Sequence, residues 1–199
     1  MYLFIDTETG GFKAAEHSLL TLSAIVTDKH FNIMPIPTQD GDPDAIPGCL
    51  HLRLKSDQYS VTPQAMAVNK IDLVKHAEIA TEPNEARQQF VNFITAGIRA
   101  TGVRKLIPAG HNVKFDMRFI WHHMLAEEPW GMYCTYPEFD TASIARYLNS
   151  AGKISGGCSL SVLRERFGIH TGGAHDAEVD NLATIELAKK FMSFLPAGK

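Results

Sequence analysis

An apolar run near the N-terminus, Leu3-Phe4-Ile5, stops at two acids, Asp6 and Glu8, and then at two glycines, Gly10 and Gly11. The run predicts a buried strand over residues 2–6. Side chains two apart on a strand share a face, so Asp6 and Glu8 point the same way, a few ångströms apart. Two carboxylates that close repel, and one is driven toward its neutral form. Either the pair stands in open water or something positive sits between the two acids.

The rest of the chain predicts alternating elements. Residues 19–28 form a second strand, rich in apolar and β-branched positions. A third short strand begins at His30 and dissolves into a Pro/Gly/Asp loop, and a fourth covers 51–54. Thr62 and Pro63 open a helix over 61–71, and Pro83 opens one over 81–101 with Phe90, Phe93, Ile94 and Ile98 as its apolar stripe. A short strand at 105–110 precedes a helix over 112–125 with Asn112 as cap. A strand end and helix follow at 138–149, then a helix at 159–168 between Ser159 and Gly168. The last helix spans 176–195, with Val179, Leu182, Ala183, Leu187 and Phe191 facing the core. This order predicts an α/β layer fold with a mixed central sheet flanked by α-helices.

With 199 residues, 45% of them hydrophobic and 21% charged, the expectation is one domain over 1–199 with an ample core. No apolar run approaches membrane-spanning length, and the N-terminus lacks the marks of a signal peptide. Cys49, Cys134 and Cys158 are far apart and odd in number, which predicts reduced thiols and a cytoplasmic setting. A net charge of −3 argues against tight non-specific duplex binding. It leaves room for an enzyme that grips only a strand end, with bound cations supplying positive charge.

Two further acids stand at helix starts. Asp116 lies in "HNVKFD" after a buried strand, and Asp180 lies in "HDAEVD" at the start of the last helix. His175 precedes Asp180 by five residues. In regular helix that is about 140° of rotation, so His175 on its Gly-rich loop would lean over the site instead. Four carboxylates from separate elements with a histidine above them suit two hard divalent cations, Mg²⁺ or Mn²⁺, able to clamp a phosphodiester. A histidine titrating near neutrality suits the base for an attacking water.

These pieces resemble the DEDDh branch of the DnaQ-like 3′→5′ exonucleases. "FIDTETGG", "HNVKFD" and "HDAEVD" match the three motifs in order. "VTPQAMAVNKI", "FDTASIARYL" and "SLSVLRERFGI" match the stretches between them, so the likeness covers nearly the whole chain. The resemblance implies an RNase H-like fold. It implies that Asp6, Glu8, Asp116 and Asp180 bind two metal ions, Mg²⁺ or Mn²⁺, and that His175 is the general base. It further implies removal of mononucleotides from a 3′ end. Thr9, Gly10, Gly11 and Phe12 then line the pocket for the terminal nucleotide, with Asn112 and Phe115 beside them.

This sequence departs from the family in places. Lys70 stands where the family often has glycine, and the loop at 34–50 has no named counterpart. Proofreading subunits in the family carry a long docking tail, whereas this chain ends 19 residues after Asp180, which favours a free-standing nuclease over a polymerase partner.

Taken singly, each residue has a plainer reading. Asp-x-Glu is often a solvated strand end, an Asp at a helix start a dipole partner, and a lone loop histidine a surface group. His122 and His123 read as surface, His111 as packing beneath the site or touching substrate, and Phe12 as wedge or core. Arg104, Lys105, Arg164 and Arg166 read as a solvated face ahead of a grip on phosphates. Together, in this order and spacing, the acids and His175 favour a metal-dependent 3′→5′ exonuclease on single-stranded DNA. The rivals are a 3′→5′ exoribonuclease, since the 2′-OH contact is not identifiable from sequence, and a non-cleaving module that binds nucleic acid or a polymerase. A homodimer that completes the substrate groove stays open.

Overall fold

Strand β1 (Tyr2–Thr9) is the middle of a five-stranded mixed sheet of order β3-β2-β1-β4-β5. The computed structural model describes residues 1–37, 46–172 and 176–194. β2 (Leu19–Thr27) runs antiparallel to β1 and to β3 (Cys49–Arg53). β4 (Ile107–Gly110) runs parallel to β1 and to the short β5 (Phe139–Asp140). All nine residues of β2 are buried, as befits a strand covered on both faces.

The eight described helices are α1 (Pro63–Asn69), α2 (Leu73–Ile79), α3 (Pro83–Thr101), α4 (Lys114–His123), α5 (Glu127–Tyr133), α6 (Thr141–Ser150), α7 (Leu160–Phe167) and α8 (Ala177–Met192). The strand alternation of β1 sorts them. Leu3 and Ile5 face one core, shared with Phe90 and Phe93 of α3 and Phe119 and Ile120 of α4. Phe4 faces the opposite core, shared with Ile25, Phe31 and Ile185 and Ala188 of α8. A third cluster joins α6, α7 and α8 through Ala145, Leu163, Leu187 and Phe191. The sheet therefore has helices on both faces, the α/β layering expected. Burying a phenylalanine such as Phe90, fully enclosed, contributes about 1.5–3 kcal/mol.

Caps and boundaries show where local rules hold and where they yield. Thr62 caps α1 by accepting from the Ala65 N–H, with Pro63 at the first turn. Asn112 does not cap α4 with its side chain; Val113 takes that place, and Asn112 adopts a left-handed conformation at φ 65°. Ser159 stands at the start of α7 but its hydroxyl meets Ser161 rather than the backbone. The expected third strand reduces to a single bridge between Thr27 and Ile33. α2 and α5, of seven residues each, are too short to show a periodic stripe in the sequence. Residues 38–45, the middle of the 34–50 loop, lie outside the described residues.

Candidate active site

β1 outruns its parallel neighbour. Its pairing with β4 ends at Phe4 and Ala109, while its pairing with β2 continues to Thr9. Asp6 and Glu8 therefore stand beyond the end of the parallel ladder, on the face that Phe4 shares with α8. This is the carboxyl end of a parallel pair, where open α/β sheets form their crevices. The expectation that the two acids share a face holds by register: Asp6 lies opposite Ser23, and Glu8 opposite Thr21.

The turn after β4 delivers Asp116. Asp140, at the end of β5, accepts from the Asn112 N–H at 2.6 Å and also caps α6 through Ala142 and Ser143. One carboxylate thus fixes both the entry to α4 and the start of α6. Asp116, one turn into α4, is 4% exposed. The Thr7 hydroxyl donates to its Oδ1 at 2.7 Å. His111 lies to the side, its ring nitrogens 3.0 Å from Thr141 Oγ1 and 3.0 Å from the Cys158 carbonyl, so it packs beneath the site.

α8 brings Asp180. The neighbouring Asn181, fully buried, donates from Nδ2 to the Phe4 carbonyl and to Ser23 Oγ, which pins the start of α8 across β1 and β2. Arg164 of α7 donates to Asp180 Oδ1 at 2.6 Å and to the Gly172 carbonyl at 2.9 Å. Arg164 is not on a solvated face: its side chain is 11% exposed and paired with a candidate ligand. His175 lies outside the described residues.

The electrostatics follow from burial. Burial, then the charges of Asp116 and Glu8, hold the Asp6 carboxyl well above the usual range. Burial, then Asp180 and Asp176, push Glu8 up to about 8. Burial pushes Asp116 up to about 7 against the pull of the Thr7 hydrogen bond. Burial and one another's charge thus hold three carboxyls above the ordinary range, the electrostatic setting in which a bound cation would offset their repulsion. Hard oxygen ligands of this kind suit Mg²⁺ or Mn²⁺.

The residues expected around a substrate divide into two groups. Phe12 is 81% exposed and meets Phe115 edge-on with centroids 6.5 Å apart, so these two rings form an accessible aromatic corner. Thr9 is buried and its hydroxyl donates to the Gly11 carbonyl, while Asn69 Nδ2 donates to the Thr9 carbonyl. The two glycines have a reason inside the fold. A Cβ on Gly10 would lie 2.2 Å from the Ser60 carbonyl oxygen, and one on Gly11 2.6 Å from the His17 ring. Beside Glu8 a cavity of about 230 Å³ is bordered by Thr21, His51, Asn69, Lys70 and Asp176. Lys70 holds a left-handed conformation at φ 57°, at a cost on the order of 1 kcal/mol.

Sequence reasoning missed Thr7, Asp140 and Asn181, and it gave Arg164 no partner in Asp180. Asp140 before Thr141 carried a readable cap signal. Thr7, Arg164 and Asn181 act across 109, 16 and 177 positions, and nothing local marks them. His123, expected at the surface, is half-buried, with Nε2 3.0 Å from both the Ala14 and His17 carbonyls, where it braces the turn after β1.

Comparison with known proteins gives a consistent result. The exonuclease family model RNase T matches residues 3–188. Ribonuclease T of Escherichia coli K12 is 29% identical over 147 residues, covering 71% of this chain and 62% of that protein. The match therefore spans less than two thirds of that relative's length. Among solved structures, E. coli exonuclease I in complex with a dT13 oligonucleotide superposes with a TM-score of 0.73 at 21% identity, over 97% of this chain and 40% of that one. S. pombe Pop2p in its Mg²⁺- and Mn²⁺-bound form gives 0.68 at 14% identity, over 97% of this chain and 83% of that one. These superpositions identify the architecture as RNase H-like.

Proposed function

This chain belongs to the exonuclease family, and from that premise we propose that residues 1–199 act as one domain, a metal-dependent 3′→5′ exonuclease that releases nucleoside monophosphates from single-stranded DNA. The observation that carries the reading is the convergence of Asp6, Glu8 and Asp116, whose carboxyls burial and mutual repulsion hold above the ordinary range. In this reading Asp6, Glu8, Asp116 and Asp180 hold two Mg²⁺ or Mn²⁺ ions. Bound there, the ions would activate a water and stabilise the leaving oxygen.

The chain's own groups supply the rest. Thr7 donates to one Asp116 oxygen and so orients the carboxylate that would hold an ion. His175 takes the proton from the attacking water as its oxygen bonds to phosphorus. The bond from phosphorus to the 3′-oxygen of the penultimate nucleotide breaks, and that oxygen collects a proton from solvent. Phe12 and Phe115 offer ring surface to the terminal base, a contact tolerant of sequence. Thr9, Gly10, Gly11 and Asn112 line the backbone side of the same pocket.

Incubation of a 5′-labelled oligonucleotide with Mg²⁺ or Mn²⁺ should give a ladder of shortened products. No ladder, or an Asp6→Ala variant as active as the parent, overturns the reading. Kinship with ribonuclease T favours a second reading, RNA as substrate. Rates on matched RNA and DNA oligonucleotides decide between them. A non-cleaving role is disfavoured because all four acids and His175 are present.

A further inference from the structure

The sheet face that carries Asp6 and Glu8 continues across two more strands. Register places Asp6, Ser23 and His51 in one lateral row, and Glu8, Thr21 and Arg53 in the next. Adjacent strands lie about 4.8 Å apart, so His51 stands roughly 10 Å from Asp6 along its row. Paired catalytic ions sit only about 3.5–4 Å apart. The backbone that carries His51 is two strands removed from that of Asp6, and the cavity beside Glu8 lies between them.

Over His51 lies the first turn of α8. Asp176 caps that helix through Oδ1 by accepting from the Glu178 N–H, and Glu178 follows two residues on. One ligand atom from each of His51, Asp176 and Glu178 lies within 4.8 Å of the others. His51 Nδ1 is 3.7 Å from Glu178 Oε2, too far for a hydrogen bond. That ring nitrogen is buried and has no hydrogen-bond partner. Two donors each about 2.0–2.2 Å from a common cation stand roughly 3–4 Å apart, which brackets this separation.

A second orphan borders the same cavity. The hydroxyl of Thr21 is buried without a partner, and Thr21 is only 6% exposed. Buried polar atoms left unpaired cost about 1–3 kcal/mol each. A cation at His51 would satisfy the first, and a water on that cation would donate to the second.

We propose that His51, Asp176 and Glu178 form a site for one divalent cation of borderline softness, Zn²⁺ or Mn²⁺, distinct from the catalytic acids. An imidazole with two carboxylates favours these ions over Mg²⁺. The cation ties β3 to the first turn of α8, one turn ahead of Asp180. The proposal stands apart from the nuclease reading and is tested without an activity assay.

The test starts from a full-length Asp6→Asn/Glu8→Gln/Asp116→Asn/Asp180→Asn variant, in which all four proposed catalytic ligands are replaced. Calorimetric titration with Zn²⁺ should still show one equivalent bound, and pulsed EPR of its Mn²⁺ complex should show nitrogen coupling from an imidazole. Adding His51→Ala should remove the nitrogen coupling and weaken Zn²⁺ binding about tenfold or more. Glu178→Gln, nearly isosteric, should weaken binding in a chain whose fold is little disturbed. If the starting variant binds no Zn²⁺, or if both further variants bind as tightly as it does, the trio is only a histidine–glutamate ion pair and the proposal is overturned.

Discussion

The Thr7 hydroxyl donates to Asp116 Oδ1 at 2.7 Å, joining the two strand acids to the helix acid across 109 positions. Thr7 points to the face opposite Asp6 and Glu8, so it is free to reach α4 while they face α8. Removing the hydroxyl should leave the fold intact and let the Asp116 carboxyl rotate. Partners that orient metal ligands are worth about 10–100-fold in affinity or activity. Thr7→Val should therefore lower kcat on a single-stranded oligonucleotide by that order, and Thr7→Ser should restore most of it.

Arg164 gives Asp180 a cationic partner inside the protein. Truncation leaves a largely buried carboxylate without that charge-assisted hydrogen bond, at a cost of about 1.5–3 kcal/mol. Arg164→Met should lower the thermal midpoint in EDTA. Saturating Mn²⁺ should shrink the loss, since a cation then faces Asp180. An equal loss in both conditions would show that Arg164 and the metal do not share that carboxylate.

Metal-free stability should fall as pH rises. Glu8 and Asp116, at about 8 and about 7, hold protons in the folded state that the unfolded chain has already released. From about pH 5 to pH 8 the folded state binds more protons, so the unfolding free energy declines across that window. Denaturant midpoints in EDTA should drop between pH 5.5 and pH 8, on the order of tenths of molar urea or more. Mn²⁺ should raise the midpoint most at the alkaline end, where protons no longer compete for the carboxylates.

Gly10→Ala should destabilise the protein whatever it does to substrate binding. The added methyl would lie 2.2 Å from a backbone carbonyl oxygen of Ser60, which is itself held by the Ser18 N–H. Forced overpacking costs about 1–3 kcal/mol. The thermal midpoint should drop even in the absence of metal and nucleic acid. A variant of unchanged stability but reduced binding would instead make the glycine a substrate contact.

The sequence announced its layers because they rest on local patterns. The all-apolar β2, the Thr62-Pro63 helix start and the Phe90/Phe93/Ile94 stripe each obey a rule of a few residues. The acids were legible through their motif order. Their setting was not. Asp180 paired with Arg164, Asp140 holding the Asn112 N–H, and Asn181 spanning two strands all depend on elements meeting in space. Asn112 misled because a cap residue and a left-handed turn residue draw on the same amino acids.

The unequal lengths of β1 and β4 carry a final consequence. β4 matches β1 only from Tyr2 to Phe4, and the seam then comes unzipped just before Asp6. The crevice is thus made by withholding backbone partners rather than by adding a loop to wall it. Its depth is counted in strand residues, which are far stiffer rulers than loops. A β4 two residues longer would zip against Asp6 and seal the opening, with every acid still in the sequence.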